Sequence, residues 1–302
     1  MLSLKTVYFF QAGIGILANA FFLIFHIFTI YQVHRFRPTD ITTCHLAVVH
    51  IVMLLTTLDV VSEDMFKLLN FPNELKCKLL FYLSGVTRGL AISTTCLLSI
   101  IQVITISPSS FRLLRFKHKL TSYIIIAFFC LWSLNMSANC YMTIYTVAHS
   151  NRSNLLNVNR YCSLSSMSST IMALVLTLEL SQCGLFVGMM LFSSMYMVIF
   201  LCRHQRKSEY LHSMSMSPRI SPVKWATCTV LLLVSFFVVM YCVDIIISSF
   251  STTLWKFEPL ILDIQRLVGN VYATVSPVVL ISSDKRLIDL LHNVIDMITI
   301  LK

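Results

Sequence analysis

Arg88 stands in the middle of an otherwise apolar run, eleven residues after Cys77. A guanidinium keeps its charge at any accessible pH, so one placed about 16 Å along a helix from the outer end of such a run must meet an acid or a ligand. At comparable depth in other apolar runs the chain offers Asp59, Glu179, Asp244 and Asp263 as acids, with Arg266 as a second cation. Two readings stand. In one, Arg88 closes an internal ion pair; in the other, it belongs to a pocket open to the outside, where buried charge recognises a polar group and aromatic rings supply apolar contact. The candidate ligand-binding residues are therefore Arg88, Thr95, Asp244, Asp263 and Arg266.

Thr95, Ser99 and Gln102 follow Arg88 at steps of seven, four and three, which keeps all four on one helical face. Gln11, Gly15, Asn19 and His26 form a similar stripe, as do Asp263, Arg266, Asn270, Thr274 and Pro277, and a shorter one joins His50 to Thr57. Hydrogen bonds between helices explain such stripes without any ligand, at about 0.6 to 2 kcal/mol each. That reading is preferred for Asn19, His50, Ser99 and Asn270, and Asn19 and His50 are expected to pack together near Gly15. These residues are too few for a metal site, and no cofactor is expected. Nor is an enzyme: the chain has no Gly-rich phosphate loop, no H-E-x-x-H, no G-x-S-x-G and no loop long enough to hold a catalytic domain.

The elements that must carry these residues follow from composition. Of 302 residues, 57% are apolar and 12% charged, against about a quarter charged in a soluble domain. Apolar runs fall at about 8–31, 41–61, 78–105, 121–145, 179–202, 225–248 and 259–281, each about long enough for a helix to cross a bilayer. The fold expected is all-α, a seven-transmembrane helix bundle forming a single membrane domain over 1–302. Barrel strands would alternate over about ten residues instead. Residues 171–178 (IMALVLTL) either extend the fifth span or lie in the loop before it. The first span, behind Lys5, is too long for the h-region of a secretory signal and is expected to remain as a helix.

Basic residues set the orientation. Arg35 and Arg37 follow span one; Arg112, Arg115, Lys117 and Lys119 follow span three. Arg203, Arg206, Lys207, Arg219 and Lys224 separate spans five and six, and Lys285, Arg286 and Lys302 follow span seven. These loops are expected to be cytoplasmic and the N-terminus extracellular. The net charge of +10 then reflects topology and attraction to anionic membrane lipid, not nucleic-acid binding.

Eight of the ten cysteines lie in or beside spans, leaving Cys77 and Cys162 on the outer side. They are expected to form a disulfide, the alternative being two free thiols. Asn151, followed by Arg152 and Ser153, is an N-glycosylation sequon on the same outer loop, whereas the sequon at Asn135 lies inside span four and should stay unmodified.

The run from Arg88 to Ser109, RGLAISTTCLLSIIQVITISPS, closely resembles the third span of vomeronasal type-1 receptors. So do YMVIFLCRH at 196–204, MSPRI at 216–220 with Ser221 and Pro222, Ala226 and Thr227 with LLLVS at 231–235, and TVSPVVLISSDKR from Thr274. The resemblance implies a G protein-coupled receptor of the plasma membrane in vomeronasal neurons. Its partners would be a small-molecule pheromone or odorant, and an inhibitory-type heterotrimeric G protein linked to a phospholipase-gated cation current. Cys77 and Cys162 match the family's outer disulfide, Asn19 and Trp132 match residues of rhodopsin-like receptors, and His50 replaces the usual acid of span two. Ile101, Gln102 and Val103 stand in place of Asp-Arg-Tyr, and Ser276-Pro277 in place of Asn-Pro-x-x-Tyr, so the usual switches do not carry over. Without the span-two acid no bound ion is expected. Gln102, Arg112, Arg115, Arg203, Arg206 and Lys207 would surround a G-protein cavity, or serve as topology signals alone. A bitter-taste receptor would carry motifs in spans five and seven that are absent here, and a transporter or channel would show inverted repeats.

Overall fold

The computed structural model describes residues 4–33, 37–61, 73–106, 111–148, 155–157, 162–165, 167–211, 231–232, 234–243, 246–247 and 259–283. Seven helices carry the spans: α1 (Leu4–Val33), α2 (Pro38–Val61), α3 (Asn73–Ile106), α4 (Phe111–Ala138), α5 (Ser169–Leu211), α6 (Val234–Val243) and α7 (Pro259–Ser283). All but α6 contain a segment long and apolar enough to cross a membrane. Proline opens both α2 and α7, where its missing N–H removes no helical bond. Residues 171–178 lie inside α5, so that segment extends the fifth span.

Helix α3 is the centre of the bundle, packing against α2, α4 and α5, while α7 packs against α1 and α2. Leu90, Leu98, Ile101, Met190 and Met197 are buried between helices, and Phe129, Leu185 and Phe192 are exposed on α4 and α5. In water such a surface would aggregate; in a bilayer it is the lipid-facing coat.

The α3–α4 seam is unusually close. A Cβ built on Gly89 would collide with Asn135 Oδ1, and one on Gly85 would collide with Asn139 Oδ1. Two glycines four residues apart thus receive two asparagines four residues apart, which is how small residues let membrane helices approach. Asn135 Nδ2 donates to Ser93 Oγ (3.3 Å) and Leu131 O (2.8 Å), and its Oδ1 accepts from Gln182 Nε2 of α5 (3.1 Å). Asn135, the acceptor of that sequon, is buried and its amide is fully engaged across three helices.

A second seam joins α2, α3 and α4 through His45. Trp132 Nε1 donates to His45 Nε2 (3.0 Å), Thr94 Oγ1 lies 3.2 Å from Nδ1, and Phe128 stacks on the ring. An indole can only donate, so His45 Nε2 holds a lone pair and Nδ1–H donates to Thr94.

Past α4, a one-turn helix (Tyr141–Tyr145) leads into a small antiparallel sheet of β1 (Thr146–Ala148), β2 (Leu155–Asn157) and β3 (Cys162–Ser165), in the order β1-β3-β2. Ala148 pairs with Cys162, and Leu156 with Leu164. The expected disulfide is present, joining Cys162 of β3 to Cys77 near the start of α3 with a Cα–Cα separation of 5.7 Å. The sheet itself is an addition to the all-helical expectation, since its three- and four-residue strands leave no alternating pattern long enough to read.

Candidate functional site

Arg88 projects from α3 into the space between α2, α6 and α7, where it lines two adjoining cavities. One, of about 30 Å³, is walled by Ile92, Phe237, Tyr241 and Tyr272 with Met53 and Met240. The other, of about 40 Å³, is walled by Arg88, Arg266, Ser84, Thr57 and Asn270, with Met53 again shared. A water needs about 10–15 Å³ by this measure and an organic ligand a few hundred, so each cavity holds a few waters as it stands.

The aromatic chamber is tightly coupled. Phe237 and Tyr241 stack with centroids 5.8 Å apart, and Tyr272 meets Phe237 edge-on at 4.3 Å. The Tyr272 hydroxyl lies 3.0 Å from Thr95 Oγ1, which also donates to Ala91 O at 2.7 Å. On its other side Tyr272 meets the His50 ring edge-on at 5.3 Å, and His50 Nδ1 lies 3.1 Å from Ser276 Oγ. One buried tyrosine therefore touches α2, α3 and α6 from α7.

Near Arg88, Tyr141 donates its hydroxyl to Glu179 Oε1 at 2.6 Å, and the Arg88 charge is within electrostatic reach of that tyrosine. Of the sequence candidates, Arg88 and Arg266 come together on one cavity, and Thr95 sits two turns deeper, behind the cavity wall. Asp263 lies on α7 with its side chain outside the described residues, as is that of Asp59; Asp244 and Asn151 lie outside them altogether. Gln102 is half-buried near the C-terminal end of α3, and its Oε1 has no hydrogen-bond partner among the described residues. Arg203 is exposed on α5; Arg112 and Arg115 on α4, and Arg206 and Lys207 on α5, have helical backbones and side chains outside the described residues.

The polar stripes bond as expected in kind, with different partners. Asn19 donates to Gly15 O (2.7 Å) and to Ala273 O of α7 (2.9 Å), and Asn270 donates to Thr57 Oγ1 (3.1 Å). Asn19 and His50 each bond α7, at Ala273 and Ser276, because that helix runs beside both. Ser99 Oγ, expected to bridge helices, is buried with no partner among the described residues. Tyr272 escapes the stripe that runs through Asn270 and Thr274. The signal available was its hydroxyl, which a bundle interior must satisfy. No cluster of three His, Cys, Asp or Glu residues able to hold a metal ion occurs among the described residues.

Apolar helices around an inward cavity lined by a cation, with a small sheet tied to α3 by a disulfide, fit a multi-pass membrane protein of the seven-span receptor class. The profile of the vomeronasal organ pheromone receptor family matches residues 2–293. Vomeronasal type-1 receptor 90 of Rattus norvegicus is 39% identical over 285 residues, covering 94% of this chain and 91% of that protein. Vomeronasal type-1 receptor 94 of Rattus norvegicus is 35% identical, covering 96% of this chain and 89% of its own length. Vomeronasal type-1 receptor 45 of Mus musculus is 35% identical, covering 96% and 91%. This chain belongs to the vomeronasal type-1 receptor family, whose members are receptors and not enzymes.

Proposed function

We propose that the chain is a G protein-coupled chemosensory receptor of vomeronasal sensory neurons. It sits in the plasma membrane with its N-terminus outside, binds a small chemosignal at Arg88, and signals through an inhibitory-type heterotrimeric G protein. The observation that carries the ligand site is that one guanidinium lines both an aromatic cavity and a polar one. Arg266 shares the polar cavity; Asp244, Asp263 and Thr95 complete the proposed set, Thr95 by fixing the Tyr272 hydroxyl.

A ligand shifts a receptor only by binding its active arrangement more tightly than its resting one. Widening the aromatic chamber moves Phe237 and Tyr241 of α6 against Tyr272, and Tyr272 carries that movement to His50 on α2 and to Thr95 on α3. This pathway takes the place of the switch triplets the sequence lacks. At the inner side Gln102, Arg112, Arg115, Arg203, Arg206 and Lys207 would face the G protein. Glycosylation at Asn151 and the Cys77–Cys162 disulfide both suit an outer surface.

The test is G-protein activation in cells with confirmed surface expression, wild type against Arg88→Ala, across steroids, volatile ketones, short acids and urine fractions, with and without pertussis toxin. A toxin-sensitive response that Arg88→Ala reduces about tenfold or more at equal surface level is the expected result. A response that survives the substitution leaves Arg88 as structure. A substrate-driven current in proteoliposomes lacking any G protein overturns the receptor reading.

A further inference from the structure

We propose that Glu179 of α5 is a ligand-recognition residue, accepting a hydrogen bond from the donor head group, ammonium or hydroxyl, of a small molecule whose apolar body occupies the widened aromatic chamber. The inference rests on the ligand-cavity reading and adds an acceptor to it. It asks nothing of Arg88 or Arg266.

The place of Glu179 on its helix comes first. Met190 of α5 shares an apolar cluster with Ile92, Phe237 and Tyr272, and Cys183 and Phe186 pack against that cluster. Ser193 and Met197, further along α5, are buried. Glu179 precedes these five residues by four, seven, eleven, fourteen and eighteen positions, which keeps it on the same helical face. The later residues of that face are buried or half-buried, yet Glu179 is exposed. A face packed at Cys183 and open at Glu179 borders a space inside the bundle, where a carboxylate meets water or a partner instead of lipid.

Two contacts agree with that placement. Tyr141, which donates to Glu179 Oε1 at 2.6 Å, is within electrostatic reach of Arg88 on α3. Cys183, one turn along from Glu179, is hydrogen-bonded to Tyr241, a wall residue of the aromatic chamber. Glu179 therefore stands about one helical turn, about 5.4 Å, from that wall.

Its chemistry is that of an acceptor with capacity to spare. A carboxylate has about four acceptor sites. Glu179 uses one, toward Tyr141, and its Oε2 takes no hydrogen bond among the described residues. The phenol orients the carboxyl group and leaves the second oxygen to a newcomer. Within the chamber the tyrosine hydroxyls are already engaged, Tyr241 with Cys183 and Tyr272 with Thr95, and Met53, Ile92, Phe237 and Met240 supply apolar wall. An occupant that matches both parts has a hydrocarbon body and, about one turn away, a group that donates. Donation to a carboxylate is charge-assisted, and so stronger than donation to a neutral oxygen.

The experiment uses the full-length chain in nanodiscs of zwitterionic lipid and reads melting temperature with phenethylamine, 2-phenylethanol or ethylbenzene, which share a body and differ in the head. A saturable rise of about 3 °C over ethylbenzene is expected for at least one donor, at about ten times its dissociation constant. Glu179→Leu removes that rise, while Glu74→Gln, a carboxylate of α3 paired with Lys78, keeps it. Glu179→Gln names the head, because an amide retains an acceptor and loses the charge: a rise that survives belongs to a hydroxyl, and one that disappears to an ammonium. Diazirine analogues of the amine and the alcohol, photolysed in wild-type nanodiscs, need no variant. Labelling between Glu179 and Met190 that the unlabelled compound competes away is expected.

Equal melting with all three compounds, a donor rise unchanged in Glu179→Leu, or labelling confined to other spans overturns the proposal. Because neither readout needs a G protein, a missing donor effect in a receptor that still signals removes this subsite alone, and a donor effect in a protein that never signals removes the receptor reading alone.

Discussion

The two sides of α3 bury polar residues in opposite ways. Toward α4, Gly85, Gly89 and Ser93 meet Asn139 and Asn135 with no space between them, and Asn135 uses both its amide nitrogen and its oxygen. Toward α6 and α7, Arg88 and Ala91 border cavities, and the hydroxyls that are satisfied, Thr95 and Tyr272, bond one another across the wall. A polar group locked against a complementary surface holds the bundle together; one left beside open space can answer a newcomer. The difference separates a packed face from a cavity-lining one on a single helix, where residue type alone does not.

Breaking the closed side should have the largest effect. Gly89→Leu places carbon where Asn135 Oδ1 already stands and should cost about 3 kcal/mol or more by overpacking, enough to abolish surface expression measured with an N-terminal epitope tag. On the open side, Tyr272→Phe keeps the ring against Phe237 and loses the hydroxyl bond to Thr95, about 1 kcal/mol. Its surface level should hold, while basal or ligand-evoked signalling shifts about fivefold, the change about 1 kcal/mol makes in a two-state population. Unchanged signalling would remove Tyr272 from the pathway. The smallest effect belongs to Thr57→Val, which removes one inter-helix bond to Asn270, about 0.6 kcal/mol by membrane precedent, and should lower melting by about 2 °C or less.

How much of this the sequence carried depended on whether a residue's fate was set locally. Seven spans were legible because bilayer thickness imposes a length on each. Cys77 and Cys162 were legible because they stood apart from the eight cysteines of the spans. Asn19, His50 and Asn270 announced themselves as inward-facing, since lipid would not tolerate them, but their partners depend on which helices neighbour which, and α7 takes part in the bonds of all three. The fit of Gly85 and Gly89 against Asn139 and Asn135 was invisible for the same reason: it is a property of two surfaces and not of either run. Arg88 and Arg266 were named from charge alone, yet their meeting on one cavity needed the packing of α2 against both α3 and α7.

Helix α5 is a single element of 43 residues, about 64 Å at helical rise, against a hydrocarbon layer of about 30 Å. Its N-terminal part holds Glu179, bonded to Tyr141, and Gln182, bonded to Asn135; Arg203 lies about 32 Å beyond Gln182 along the same axis. A stiff rod of that length works as a lever. Pivoting it by about 5° at Gln182 sweeps Arg203 sideways by about 3 Å, from an angular change too small to break the hydrogen bond at Glu179 or at Gln182.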